Sequence, residues 1–238
     1  GVITETSTLE FTGDIARFSS AFKVDAGLVM NFWEGESSDG FCRLFSVSTT
    51  YVIAALDSAL EFDTSQAKHN SAVLLNPNTC INFWSGFADD GFCRTFSFTT
   101  GGVVTALDSV LEFDTNNSFY NSVIKVDETH VVNAWSGNAL DGFIRSFEIN
   151  ILTGEITAQD SALEFLNADV EYISLILVSP TRAVNSYRGN GNDGFLLMFD
   201  ISVSDGVIKA LRTEFEHDVA DDLYNSLVKL NNDTICLF

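Results

Sequence analysis

Residues 70–114 read NSAVLLNPNTCINFWSGFADDGFCRTFSFTTGGVVTALDSVLEFD. β-Branched and aromatic residues fill four short runs, 71–75, 79–85, 92–99 and 103–109. Asn76-Pro77-Asn78, Asp90-Gly91 and Gly101-Gly102 fall between the runs. Strand formers separated by turn formers at this spacing predict four short antiparallel strands. Asp90-Gly91 are residue types that tolerate positive φ, so they are expected to supply it in the turn 86–91. In the third run Phe92, Arg94, Phe96 and Phe98 point one way, while Cys93, Thr95 and Ser97 point the other. Neither face is plainly wet. A sheet of this kind is covered on both sides by other sheets.

The unit repeats along the chain. Asp-Gly-Phe begins at Asp39, Asp90, Asp141 and Asp193, at intervals of 51, 51 and 52. Glu-Phe begins at Glu10, Glu61, Glu112, Glu164 and Glu214, at intervals of 51, 51, 52 and 50. Asn-Ser occurs at Asn70, Asn121 and Asn225, with Ser19-Ser20 and Ile173-Ser174 in the equivalent slots. Four-stranded sheets repeated at such a period predict an all-β fold, a five-bladed β-propeller, with a linear solenoid of sheets as the structural alternative. The expected units are 1–17 (an N-terminal outer strand), 18–68, 69–119, 120–171, 172–223 and a partial 224–238, all within one domain, 1–238. If the ring closes, the N-terminal strand joins the last blade, which then has three strands. The repeated phenylalanines (Phe41, Phe92, Phe143, Phe195; Phe45, Phe96, Phe147, Phe199) are expected as packing between blades, and they account for much of the total of 21 Phe.

Composition excludes some functions. The formal net charge is −21 and 46% of residues are hydrophobic, enough for a packed core. Nucleic acid and anionic lipid are poor partners, because both are bound through Lys and Arg. No apolar run is long enough to cross a bilayer, so no membrane insertion is expected. The acidity also suits a protein kept in solution in salty water.

Candidate site residues come from the repeat columns. Trp33, Trp84, Trp135 and Tyr187 precede the turn between the second and third strands. They are either core rings with a locally satisfied N–H or a ring of aromatic platforms for sugars. Arg43, Arg94 and Arg145 recur two residues after the Gly-Phe, with Leu197 in the fourth slot. A charge there needs a partner, and Glu61, Glu112, Glu164 or the turn aspartates are the expected ones. Anion or carboxylate binding is the functional alternative. Asp39, Asp90, Asp141 and Asp193 are turn formers, or oxygen ligands in acidic loops that could hold Ca²⁺, although no loop has the spacing of a known Ca²⁺ motif. No cofactor is expected. Cys42 and Cys93 share a slot with Ile144 and Leu196, and Cys80 and Cys236 lie in apolar runs, so packed free thiols are expected. The three histidines, His69, His130 and His217, fall at three different repeat positions and suggest no nucleophile–base pair. Paired catalytic carboxylates would have to come from non-repeated acids such as Glu34, Asp169, Glu171, Asp221 and Asp222.

The unit in residues 111–147, LEFDT…NSVIKVDETHVVNAWSG…DGFIRSF, resembles a repeat of uncharacterised microbial and environmental proteins with the pattern LEHDT…NSLVQIDSDTYVLAYAG…DGYIKTF. Phe62, Phe113 and Phe165 stand where that pattern has His, and Trp stands for the Tyr of AYAG. The resemblance covers essentially the whole chain. It implies a β-propeller, usually extracellular or at the cell surface, and no catalytic residues. Size and unit count are similar to tachylectin-type five-bladed lectins, whose Asn-Trp and Gly-Gly-Trp motifs are missing here.

These readings lead to a non-enzymatic ligand-binding or scaffold module, a monomer within a larger surface or secreted protein. It would meet a glycan or a protein surface through several equivalent sites. The rivals are a five-bladed glycoside hydrolase with acids from different blades in a deep funnel, and a purely structural repeat.

Overall fold

The computed structural model describes residues 8–13, 15–202, 205–211, 214–218, 224–231 and 234–237. The chain is a β-propeller. The first sheet holds β1 (Arg17–Lys23), β2 (Leu28–Glu34), β3 (Gly40–Val47), β4 (Ile53–Ala55) and β5 (Leu60–Asp63). The second holds β6 (Lys68–Asn76), β7 (Thr79–Ser85), β8 (Asp90–Phe98), β9 (Val104–Ala106) and β10 (Leu111–Asn117). The third holds β11 (Phe119–Lys125), β12 (His130–Ser136), β13 (Gly142–Ile149), β14 (Ile156–Ala158) and β15 (Leu163–Leu166). The fourth holds β16 (Glu171–Ser179), β17 (Arg182–Arg188), β18 (Gly194–Ile201), β19 (Ile208–Leu211) and β20 (Phe215–Asp218). A fifth sheet pairs β21 (Leu227–Asn231) with β22 (Thr234–Leu237).

The first strands of the five sheets stand side by side around the axis, and a repeated serine joins them. Ser20 Oγ accepts the N–H of Ala72 at 3.0 Å, Ser71 Oγ that of Val123 at 3.0 Å, Ser122 Oγ that of Leu175 at 2.9 Å, and Ser174 Oγ that of Leu227 at 2.9 Å. These bonds explain the serine of the repeated Asn-Ser pair. Each satisfies a backbone donor that faces a neighbouring sheet rather than a ladder.

Both faces of each central strand are buried, as the alternation in 92–99 predicts. Met30, Phe32, Cys42 and Leu44 pack against Cys80, Trp84, Phe96 and Phe98 between the first and second sheets. Ile81, Phe83 and Cys93 meet Trp135, Phe147 and Ile149 across the next boundary. Val132, Ala134 and Ile144 meet Ala183, Tyr187, Leu197 and Phe199 across the third. Each fully buried large side chain contributes roughly 1.5–3 kcal/mol. Cys42, Cys80 and Cys93 are free and buried in these layers, and burial pushes all three thiols well up.

Two features differ from the sequence expectations. First, the outer strand is split. β4 pairs the C-terminal half of β3 and β5 the N-terminal half, so the Leu-Glu-Phe-Asp segment adds a fifth strand where the sequence predicts four. Second, the positive φ of the turn after β2 falls on Ser37 (59°) and Ser38 (72°), and in the next repeat on Ala88 (60°) and Asp89 (67°). Asp39 and Asp90 are extended, with φ of −62° and −65°. Gly91 is required for a different reason: a Cβ there would lie 2.7 Å from the Phe113 ring and 2.9 Å from Ser118 Cβ. Among the described residues the last sheet has two strands, β21 and β22. Residues 8–13 form no strand. In the first sheet the outer segment pairs with β3, and no equivalent third strand lies beside residues 8–13 among the described residues. Phe11 nevertheless packs on Trp33 at 5.1 Å, as Phe62 does on Trp84 at 5.0 Å. Residues 1–7 of the expected N-terminal strand and Phe238 lie outside the described residues.

Candidate functional site

The serine-linked inner strands bring one residue of each repeat to the mouth of the axial channel. Phe18, His69, Tyr120, Tyr172 and Tyr224 line a cavity of about 270 Å³, with Ser19, Asn70, Asn121, Ile173 and Asn225 beside them. Successive rings touch: Phe18–His69 at 4.6 Å between centroids, His69–Tyr120 at 4.9 Å, Tyr120–Tyr172 at 5.0 Å and Tyr172–Tyr224 at 4.8 Å. The result is a continuous aromatic arc.

The local cause is a bulge. The register between β1 and β2 shifts between Arg17 and Ser20, and the same shift recurs at Lys68/Ser71, Phe119/Ser122 and Glu171/Ser174. The extra residue bends each inner strand. It also throws the aromatic residue into the left-handed region: φ is 47° at Phe18, 50° at His69, 52° at Tyr120 and 52° at Tyr172. A bulky side chain in that region is strained by about 1–3 kcal/mol, and such strain concentrates at ligand sites.

The arc is neutral over most of its length. Burial, then the charge of Lys68, pull the His69 imidazole down to about 4, with Asp89 opposing. Burial, followed by the hydroxyl of Tyr172, pushes the Tyr120 phenol up. The Arg188 guanidinium lies 4.9 Å from the Tyr172 ring centre and pairs with Glu171. Below the rings, Asn82 Nδ2 donates to Asn70 Oδ1 at 2.8 Å and Asn133 Nδ2 to Asn121 Oδ1 at 2.8 Å, which fixes two of the channel asparagines.

The residues singled out from sequence lie elsewhere. Trp33, Trp84, Trp135 and Tyr187 are buried between sheets, with Trp84, Trp135 and Tyr187 fully inaccessible, so no ring face is open to a ligand. Trp84 Nε1 donates to Asp63 Oδ2 at 2.8 Å and Trp135 Nε1 to Asp114 Oδ2 at 2.7 Å. Tyr187 donates its hydroxyl to Glu214.

Arg43, Arg94 and Arg145 find no carboxylate partner among Glu61, Glu112 and Glu164. They cap the break in the outer strand instead. Arg43 donates to Leu56 O and Asp57 O, Arg94 to Leu107 O at 3.1 Å and Asp108 O at 2.7 Å, and Arg145 to Gln159 O and Asp160 O. Asp57, Asp108 and Asp160 have positive φ, which turns their carbonyls out of the ladder and toward the guanidinium.

Asp39, Asp90, Asp141 and Asp193 close their turns through the backbone. Each carbonyl accepts the N–H of Gly35, Gly86, Gly137 or Gly189 at 2.8–2.9 Å. Among the described residues no three His, Cys, Asp or Glu side chains gather into a metal-binding group. Of the non-repeated acids, Glu34 and Glu171 flank the axial mouth, Asp169 does not line it, and Asp221 and Asp222 lie outside the described residues. Sequence reasoning missed the mouth itself. Its signal was one column away, in the ring-bearing residue before each Ser-Ser, Asn-Ser or Ile-Ser pair.

No family model matches the chain. No curated protein matches it. Solved structures do. The chain is similar to the SapL1 lectin, solved in complex with α-methyl fucoside, with 9% identity over 89% of this chain and 68% of that one, at a TM-score of 0.57. It is similar to a GH32 β-fructofuranosidase of Bombyx mori, with 14% identity over 91% of this chain and 53% of that one, at 0.54. It is also similar to the GH43 β-1,3-galactosidase BT0265, with 10% identity over 90% of this chain and 50% of that one, at 0.56. The chain thus spans between half and about two thirds of these structures. At such identities the likeness concerns the fold. No helix among the described residues is long and apolar enough to cross a membrane.

Proposed function

We propose that this chain is a non-enzymatic glycan-binding β-propeller module that acts outside the cell or at its surface and binds through the aromatic mouth of the axial channel. The observation that carries this reading is the arc from Phe18 to Tyr224, with four of its five residues held in left-handed backbone. Sugar rings present C–H faces that stack on aromatic π-faces and hydroxyls that bond to phenols and amides. The mouth offers both, in Tyr120, Tyr172 and Tyr224 and in Asn70, Asn121 and Asn225. A lectin among the similar structures supports a sugar as the ligand.

The similar glycoside hydrolases favour an enzyme as the second reading. Hydrolysis uses two carboxyl groups in different environments, roughly 5–9.5 Å apart across the scissile bond. Beside this mouth Glu171 is engaged by Arg188, and among the described residues no carboxylate lines the mouth cavity. The test is binding of a glycan panel by the native chain and by Tyr172→Ala, alongside an assay for sugar released from polysaccharide.

A further inference from the structure

Beside the aromatic mouth, the first sheet contains a second and larger cavity of about 730 Å³. Its walls are Gly13, Ile15, Arg17, Glu34 and the turn 35–38. Arg17 and Phe18 are consecutive, so this cavity and the axial mouth adjoin along the same strand. Glu34 is only 3% exposed, and among the described residues its Oε2 has no hydrogen-bond partner. A carboxylate so buried is costly unless a donor meets it.

The other repeats show what meets a carboxylate at this rim. The slot of Glu34 holds Ser85, Ser136 and Arg188, and that of Arg17 holds Lys68, Phe119 and Glu171. In the second sheet Lys68 Nζ and Gln66 Nε2 reach Asp89 Oδ1 at 3.1 and 2.6 Å. In the fourth, Arg188 reaches Glu171. The chain thus supplies its own cation to each of these carboxylates. In the first sheet Ile15 replaces Gln66 and Ser38 replaces Asp89. Arg17 stands opposite Glu34 in the ladder, but it is exposed and forms no ion pair with Glu34 among the described residues. Among the described residues, Glu34 and Glu36 against Arg17 leave the cavity lining one negative charge in excess.

We propose that this cavity is a subsite for a primary ammonium group, so that the preferred ligand is a glycan bearing free amines. This rests on the glycan-binding reading: the sugar ring stacks on the aromatic arc while its ammonium donates to the Glu34 carboxylate. An ammonium supplies a charged donor to the Glu34 carboxylate, which a hydroxyl does not. The net charge of −21 steers such a polycation toward the protein and repels acidic glycans.

The test is calorimetric titration of the full chain with β-1,4-linked glucosamine oligomers and with their N-acetylated counterparts. The amine form is expected to bind at least tenfold tighter. Glu34→Gln should bring the two within about twofold by weakening the amine form. Ile15 is exposed, so Ile15→Lys offers a second variant that tolerates folding. Its internal ammonium should occupy Glu34 and abolish the preference in the same way. Equal affinities in the native chain, or a preference that survives both variants, would overturn the subsite while leaving glycan binding intact. Binding of neither oligomer would overturn both. If a lysine-rich peptide binds through Glu34 and the amino sugar does not, the cavity receives protein and the proposal falls.

Discussion

Trp84 Nε1 donates to Asp63 Oδ2 at 2.8 Å, and this bond crosses from the second sheet to the outer edge of the first. Asp63 ends β5, and Phe62 beside it packs edge-on against Trp84 at 5.0 Å. Trp135 and Asp114 repeat the clamp at 2.7 Å. Two motifs far apart in the sequence, Glu-Phe-Asp at 61–63 and 112–114 and the tryptophan of the following sheet, are therefore two halves of one joint between neighbouring sheets. Facing Trp33 of the first sheet, Thr12 stands in the aspartate slot, and among the described residues the buried Trp33 Nε1 has no hydrogen-bond partner.

Asp63→Ala should therefore leave a buried indole N–H unmet and cost about 1–3 kcal/mol. Trp84→Phe in the same background should cost less than the two single changes added together, because the orphaned donor goes with it. Urea unfolding of the four variants measures this. Strict additivity would remove the joint from the account.

Gly91 has no room for a side chain beneath the Phe113 ring. Gly91→Ala should destabilise by about 1–3 kcal/mol through overpacking. Adding Phe113→Leu should recover part of the loss. A neutral Gly91→Ala in thermal unfolding would contradict the contact.

Arg94 holds the carbonyls of Leu107 and Asp108 where the outer strand breaks. Arg94→Met keeps the apolar stem and removes the donors. It should cost about 1–3 kcal/mol and speed amide exchange in β9 and β10 before the inner strands respond. Uniform exchange across the sheet would count against a local role.

His69 carries a pH signature. Its folded value, about 4, lies below the ordinary 6.5, so between those limits the unfolded chain binds more protons than the folded one. Its contribution is complete above pH 6.5 and is lost as pH falls toward 4. The loss is on the order of 1–3 kcal/mol. His69→Phe keeps the arc and should flatten this part of the stability–pH curve. An unchanged slope would show that other groups carry it.

Much of the fold was legible because the repeat exposes it. The alternation in 92–99 marks a sheet covered on both faces, and the slot shared by Cys93 and Ile144 marks buried thiols. The site was less legible. Trp84 and Trp135 stand out by residue type, yet their rings are spent on packing. The functional column is chemically mixed (Phe18, His69, Tyr120, Tyr172, Tyr224), and only a bulge turns it toward the channel. Bulges and positive φ at non-glycine residues leave no local mark in a strand pattern. The arginines were read as needing a charge, and backbone carbonyls freed by a broken strand met that need instead.

The central claim is that the aromatic mouth binds sugar. Its most direct test is titration of the native chain and of Tyr172→Ala with the glycan that binds best in a panel. The account predicts saturable binding without sugar release, weakened at least tenfold by Tyr172→Ala at an unchanged melting temperature. No binding to any glycan, or equal binding by the variant, would contradict it.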